Sequence, residues 1–283
     1  MEEQNAQHEE PKAFDWFDGE SMYLAQINDD IIWIRSAIVD TLTEIENILG
    51  RQNPRIEVEW QLVVGVWENK LLEAQIAMRR ARRKCSLLQA SVNAGEPIDE
   101  GQVEAQLDEE LAEWTQQLAD ATRRYETATV AQLGAVEISS ADDQAQRKLF
   151  RTLAKRLHPD LHPDQDEATR AMFALADLAY RQGDIQILKS LEASTRNLEA
   201  GANLPTTVEE AKAELEALKQ QKEELDQRVE QIKADKPYCL RQLLSDSNWV
   251  NQCVSQMKQE IESYEQTARE YGKRSIELAN GNE

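Results

Sequence analysis

Leu149-Phe150-Arg151-Thr152-Leu153-Ala154-Lys155-Arg156-Leu157-His158-Pro159-Asp160 is the stretch on which the reading of this chain turns. Leu149, Phe150, Leu153 and Leu157 fall on one side of a helix, and Lys148, Arg151 and Lys155 on the other. Arg147 and Arg156 widen the positive side. Pro159 fixes its own φ and turns His158 away from helical values, so the spacing predicts a helix over Ser140–Leu157 that stops at a His-Pro-Asp corner. The side chains of His158 and Asp160 are then expected at a rigid, solvent-facing helix end.

This basic helix stands out because the 283-residue chain has a formal net charge of −21. Such a summed field repels phosphate, which argues against nucleic acid or an anionic membrane as a partner. Charged residues make up 30% of the chain and aromatics 6%, with 10 Gly and 7 Pro, the composition of long helices packed through narrow apolar stripes. The expected fold class is all-α, with elongated helical hairpins or coiled coils flanking a small helical domain. Cys85, Cys239 and Cys253 are too far apart in sequence to suggest a metal pair and read as free thiols of a reducing cytosol. The acidic start at residues 1–5 leads into no apolar core, and the apolar runs at 31–34 and 62–67 are far too short for a bilayer. A cytoplasmic protein without a cofactor is expected.

Outward from the basic helix, residues 1–20 read as a loose acidic tail, with Phe14, Trp16 and Phe17 as anchors. Residues 21–130 read as an N-terminal helical hairpin or coiled-coil region. Its first stripe is Tyr23, Ile27, Ile31, Ile34, Ile38, Leu42, Ile45 and Leu49, ended by Gly50 and Pro54. A second pattern runs from Trp60 to Leu88 and closes at the turn Asn93-Ala94-Gly95-Glu96-Pro97. A third carries Val103, Leu107, Leu111, Trp114, Leu118, Ala121 and Tyr125 at heptad spacing. Arg79, Arg80, Arg82, Arg83 and Lys84 lie about as far before that turn as Asp108, Glu109, Glu110 and Glu113 lie after it. Antiparallel folding therefore sets the basic cluster against the acidic one, a reading preferred to a nucleic-acid patch. Residues 205–280 carry two further stripes, Val208 to Ile232 and Val250 to Tyr271, separated by Pro237. They read as a C-terminal antiparallel coiled-coil hairpin, with homodimerisation through the same stripes as the competing arrangement; the spacing does not decide between them.

The central region, residues 131–200, continues past the corner with a loop and a second helix over 168–180, offering Met172, Phe173, Leu175, Ala176 and Ala179 for packing. Gly183-Asp184 ends that helix and caps a short third one over 185–191. Here the residues resemble the J domain of DnaJ-type co-chaperones. The family's aromatic, basic residue and Leu-Ala-Lys-Lys-Tyr ahead of His-Pro-Asp are matched by Phe150-Arg151 and Leu153-Ala154-Lys155-Arg156-Leu157. Its Phe followed by an Ala-Tyr pair is matched by Phe173 and Ala179-Tyr180. The second tripeptide, His162-Pro163-Asp164, aligns with ordinary loop. The Tyr pair of the family's first helix is replaced by Thr129 and Val130 ahead of Leu133-Gly134, and neither a Gly/Phe-rich linker nor a repeated Cys-x-x-Cys module follows. The chain is similar to bacterial J-domain proteins whose J domain lies between coiled coils.

The resemblance implies that His158, Pro159 and Asp160, with Arg147, Lys148, Arg151, Lys155 and Arg156, engage a DnaK-type chaperone and promote its ATP hydrolysis. It implies a J-domain core of Phe150, Leu153, Leu157, Phe173, Ala176 and Tyr180. The coiled-coil arms would select a client or a location, and the client is unknown. Physically, an exposed Asp carboxylate can accept a charge-assisted bond from a partner arginine, and a basic face can steer toward an acidic surface. An enzyme is not expected: His158 and His162 have the spacing of a helical metal pair, but Pro159 and Pro163 break the helix that would align them. The remaining alternative is a structural coiled-coil scaffold with a degenerate, inactive J domain.

Overall fold

A computed structural model of the chain describes residues 19–134, 140–196 and 204–280, and the fold is all-α: these residues form eleven α-helices and no strand. The acidic tail expected over residues 1–20 lies outside the described residues, except that Gly19 and Glu20 open α1 (Gly19–Asn47). The chain continues through a π-helical turn at Ile48–Gln52 into α2 (Asn53–Trp60), and through a second at Gln61–Gly65 into α3 (Val66–Ala94). Gly50 and Pro54 therefore do not end the helical path, as their type predicted. Pro54 falls in the first turn of α2, and the wider turn before it accommodates the ring and the missing N–H that would break a regular helix.

The chain divides into two compact units. Of the described residues, 19–45 with 140–196 and 204–229 form one, and 46–134 with 230–280 the other.

In the second unit, α3 ends at Gly95, whose φ of 67° is the left-handed value that closes a helix. The side chain of Asp99 accepts a 3.0 Å hydrogen bond from the Gln102 amide and starts α4 (Glu100–Glu110). The heptad series expected to be one helix is divided at Leu111, with φ −105° and ψ 3°, and resumes as α5 (Ala112–Leu133). The basic and acidic clusters meet across the α3–α4 turn. Arg80 pairs with Glu104 and with Asp108 (2.7 Å), Arg83 with Glu110 (2.7 Å) and Lys84 with Glu104 (2.7 Å). Leu88, Val103 and Leu107 pack beneath them. On α5, the Ala121 carbonyl accepts from the Asn69 side chain, and the Trp114 ring lies under the Arg79 guanidinium.

In the first unit, α6 (Ser140–Leu157), α7 (Glu167–Gln182) and α8 (Ile185–Ser194) enclose one apolar cluster. The next helix, α9 (Val208–Ala234), turns its stripe to α1. Ile27 and Ile31 pack on Val208 and Ala211, Arg35 pairs with Glu214, and the Asn28 side chain donates to the Pro205 carbonyl. Residue numbers rise together on both helices, so α1 and α9 run parallel. After α10 (Leu240–Ser245), α11 (Ser247–Asn280) runs along α3 within the second unit. Trp249 meets Trp60, the Lys258 ammonium lies 4.3 Å from the centroid of the Trp67 ring, and Arg274 donates to Gln89, again a parallel register. This differs from the hairpin of their own expected for residues 205–280. Stripes of equal period are equally good partners for one another, so spacing alone does not choose among them.

Candidate functional site

The corner is assembled from the end of α6. The His158 amide still donates to the Ala154 carbonyl at 2.9 Å, so helical bonding persists for one residue beyond α6. Pro159 then supplies no N–H, and the His158 carbonyl accepts from both Leu161 and His162 at 3.1 Å, closing a turn with proline in its second place. The Asp160 amide donates to Nδ1 of His158 at 3.1 Å. That bond requires a neutral ring carrying its proton on Nε2.

His158 is not solvent-facing as expected. It is 8% exposed, with its ring edge against Phe173 at 4.7 Å between centroids. Burial pushes its imidazole below the usual histidine range; the charges of Asp160 and Asp177 oppose this and that of His162 adds to it. Asp160, by contrast, is exposed. The two outer residues of the tripeptide therefore differ in kind, a buried brace and an exposed carboxylate, with half-buried Pro159 between them.

The second tripeptide is tied back to the helices. His162 Nε2 donates to the Lys155 carbonyl at 3.0 Å, capping a carbonyl of the last turn of α6 that has no helical partner. The Pro163 carbonyl accepts from Arg170 at 3.1 Å. Asp166 ends the loop by accepting from the Thr169 amide, which starts α7; the Thr169 hydroxyl and then that amide hold the Asp166 carboxyl below its ordinary value.

Beneath the corner, Phe150, Leu153, Leu157, Ala176 and Tyr180 are all within one fully buried cluster, with Phe173 packed at its edge. The Phe150 and Tyr180 rings stack at 4.4 Å with 10° between their planes. Phe173 meets the corner end of α6, while Gln146 near its start donates to the Gly183 carbonyl beyond the end of α7; the two helices are antiparallel. Gly183, at φ 74°, allows the tight reversal into α8, and Asp184 caps α8 by accepting from the Gln186 and Ile187 amides.

The five basic residues expected to dock fall into different situations. Arg147 pairs with Asp143 one turn back at 2.8 Å. Arg156 reaches α8, donating to the Glu192 carbonyl (3.2 Å) and the fully buried Thr195 hydroxyl (3.4 Å). Arg151 is held by Asp40 of α1. Lys148 and Lys155 are exposed and make no ion pair among the described residues. Gln146, Thr195 and Asp40 were missed by sequence reasoning. Of these, only Gln146 carried a signal, since it lies four residues before Phe150 on the apolar side of α6.

Thr129 and Val130, at the places of the family's Tyr pair, lie on α5 in the second unit, and residues 135–139 lie outside the described residues. Among the described residues no group of His, Cys, Asp and Glu could hold a metal ion, and no helix is long and apolar enough to cross a membrane. The chain matches no family model, no curated protein and no solved structure.

Proposed function

We propose that the protein is a J-domain co-chaperone, not an enzyme, that docks on a DnaK-type chaperone through α6 and the His-Pro-Asp corner and stimulates its ATP hydrolysis. The observation that carries this reading is the division of labour at the corner. The buried His158 ring fixes the turn, and the turn presents the Asp160 carboxylate to solvent beyond a helix whose Lys148 and Lys155 are also exposed. A carboxylate on a backbone held this way can accept a charge-assisted bond from a partner arginine at the cost of its own side-chain freedom alone, because the turn is already ordered. The flanking cations would meet acidic groups and speed encounter. Such a contact is small and transient by nature. The remaining helices would direct the pair to a client or a cytoplasmic location.

Isothermal titration of the ATP-bound chaperone with the full chain tests this reading. Binding that disappears in Asp160→Asn, with the fold intact, is the expected result; no heat from the unaltered chain would overturn it. The second reading, a scaffold with an inactive J domain, is favoured by Thr129 and Val130 at the Tyr places on α5. It predicts binding without stimulation, or neither.

A further inference from the structure

Arg151 lies at the centre of the cationic face, three residues after Lys148 and four before Lys155, so the three share one side of α6. It is also the one of these three that is already engaged. Its Nε donates to Oδ1 of Asp40 at 2.5 Å and its Nη2 to Oδ2 at 2.8 Å, a two-pronged arginine–carboxylate contact. Ser36, one turn earlier on α1, accepts from the same Nη2 at 3.3 Å. Ser36, Val39, Lys148, Arg151 and Lys155 line a common cleft of about 510 Å³.

Nothing in the local sequence of α1 requires Asp40 to face α6; the tertiary fold brings the two together. Arg35 with Glu214 before it, and the Thr41 hydroxyl 3.5 Å from an Asp226 carboxylate oxygen after it, fasten both sides of Asp40 to α9. A partner carboxylate seeking the Arg151 fork would need the position that Asp40 occupies.

We infer that α1 is a built-in acidic competitor for the docking face of α6, masking Arg151 until an acidic partner displaces Asp40. This rests on the co-chaperone reading for the identity of that partner. The Arg151 and Asp40 side chains are 50% and 53% exposed, so the latch is weak and salt-sensitive. A weak latch suits this role, because a transient partner can open it. Removing it should tighten binding by roughly two- to five-fold at low salt, the range expected for an exposed ion pair.

The test uses the full chain with Asp40→Ala, Arg151→Ala and the double variant, titrated at low ionic strength with two probes. One probe is the ATP-bound DnaK-type chaperone, and the other a fluorescein-labelled decapeptide of glutamates read by anisotropy. Asp40→Ala should tighten both, and the gain should vanish in the Arg151→Ala background, since the mask acts through that fork. A gain with the peptide alone supports the mask and removes the chaperone as its partner. No gain with either probe overturns the inference. An equal gain in the Arg151→Ala background also overturns it, because the effect would then be the loss of one negative charge anywhere nearby.

Discussion

The backbone amide of Asp160 donates to Nδ1 of His158 across 3.1 Å, so the exposed carboxylate of one residue is aimed by the buried ring of the other. A protonated ring has no lone pair at Nδ1 to accept that bond. Because burial depresses its pKa, the native ring takes its proton at lower pH than the ring of the unfolded chain. The contribution of the corner is therefore complete above the ordinary histidine value of about 6.5 and is lost as pH falls from there through the depressed native value. Thermal unfolding of the unaltered chain should lose more than that of His158→Gln between about pH 7.5 and 5. Parallel profiles would contradict the brace.

Phe150 is 1% exposed and stacks on fully buried Tyr180. Phe150→Ala should destabilise the α6–α8 cluster by about 3–5 kcal/mol, the usual cost of emptying a core aromatic site. Hydrogen exchange of amides in α6–α8 is the measure, and unchanged protection would show that these rings do not hold the cluster together.

Arg156 and Lys155 are neighbours with separate tasks. Arg156→Met keeps the aliphatic stem but loses the bonds to the Glu192 carbonyl and the Thr195 hydroxyl and the ion pair with the Glu192 carboxylate, and because the hydroxyl still donates to the Leu191 carbonyl it should cost about 0.5–1.5 kcal/mol of stability. Lys155→Met should stay within about 0.5 kcal/mol in stability. It should nevertheless weaken chaperone binding and flatten its salt dependence. Urea unfolding and titration at two salt concentrations separate the effects, and equal destabilisation by both variants would refute the division.

These assignments differ in how far the sequence announced them. The stripe through Phe150, Leu153 and Leu157 and the capping pair Gly183-Asp184 act within a few residues, so α6, α7 and α8 were readable to within a few residues of their ends. The pairing of Arg80 with Asp108 and of Arg83 with Glu110 was readable because a turn at Gly95 folds opposite charges together, whereas Glu104, which meets Arg80 and Lys84, was not among the acidic residues singled out. Three features were not readable. The burial of His158 depends on Phe173 from the next helix. The passage through Pro54 depends on a π turn that no residue type signals. Asp40 and Arg151 lie 111 positions apart, on helices that only the tertiary fold brings together.

The α3–α4 charges should act on register more than on stability. The Arg80 and Glu104 side chains are 37% and 38% exposed, so a double-mutant cycle on them should give about 0.2–1 kcal/mol. Arg80→Glu should perturb the α3–α4 contact, and adding Glu104→Arg should restore it. Cross-linking between cysteines placed on facing exposed positions of α3 and α4 reads this, and no rescue would show that these charges do not set the register.

Asp160 is exposed at the corner, so its carboxylate can be altered without emptying the core, and the proposed function makes it the contact group. The direct measurement is single-turnover ATP hydrolysis by the host's DnaK-type chaperone, with the full chain and with its Asp160→Asn variant. Stimulation by the first, and little by a second of equal stability, is the predicted result. Equal rates with and without the protein would contradict the account.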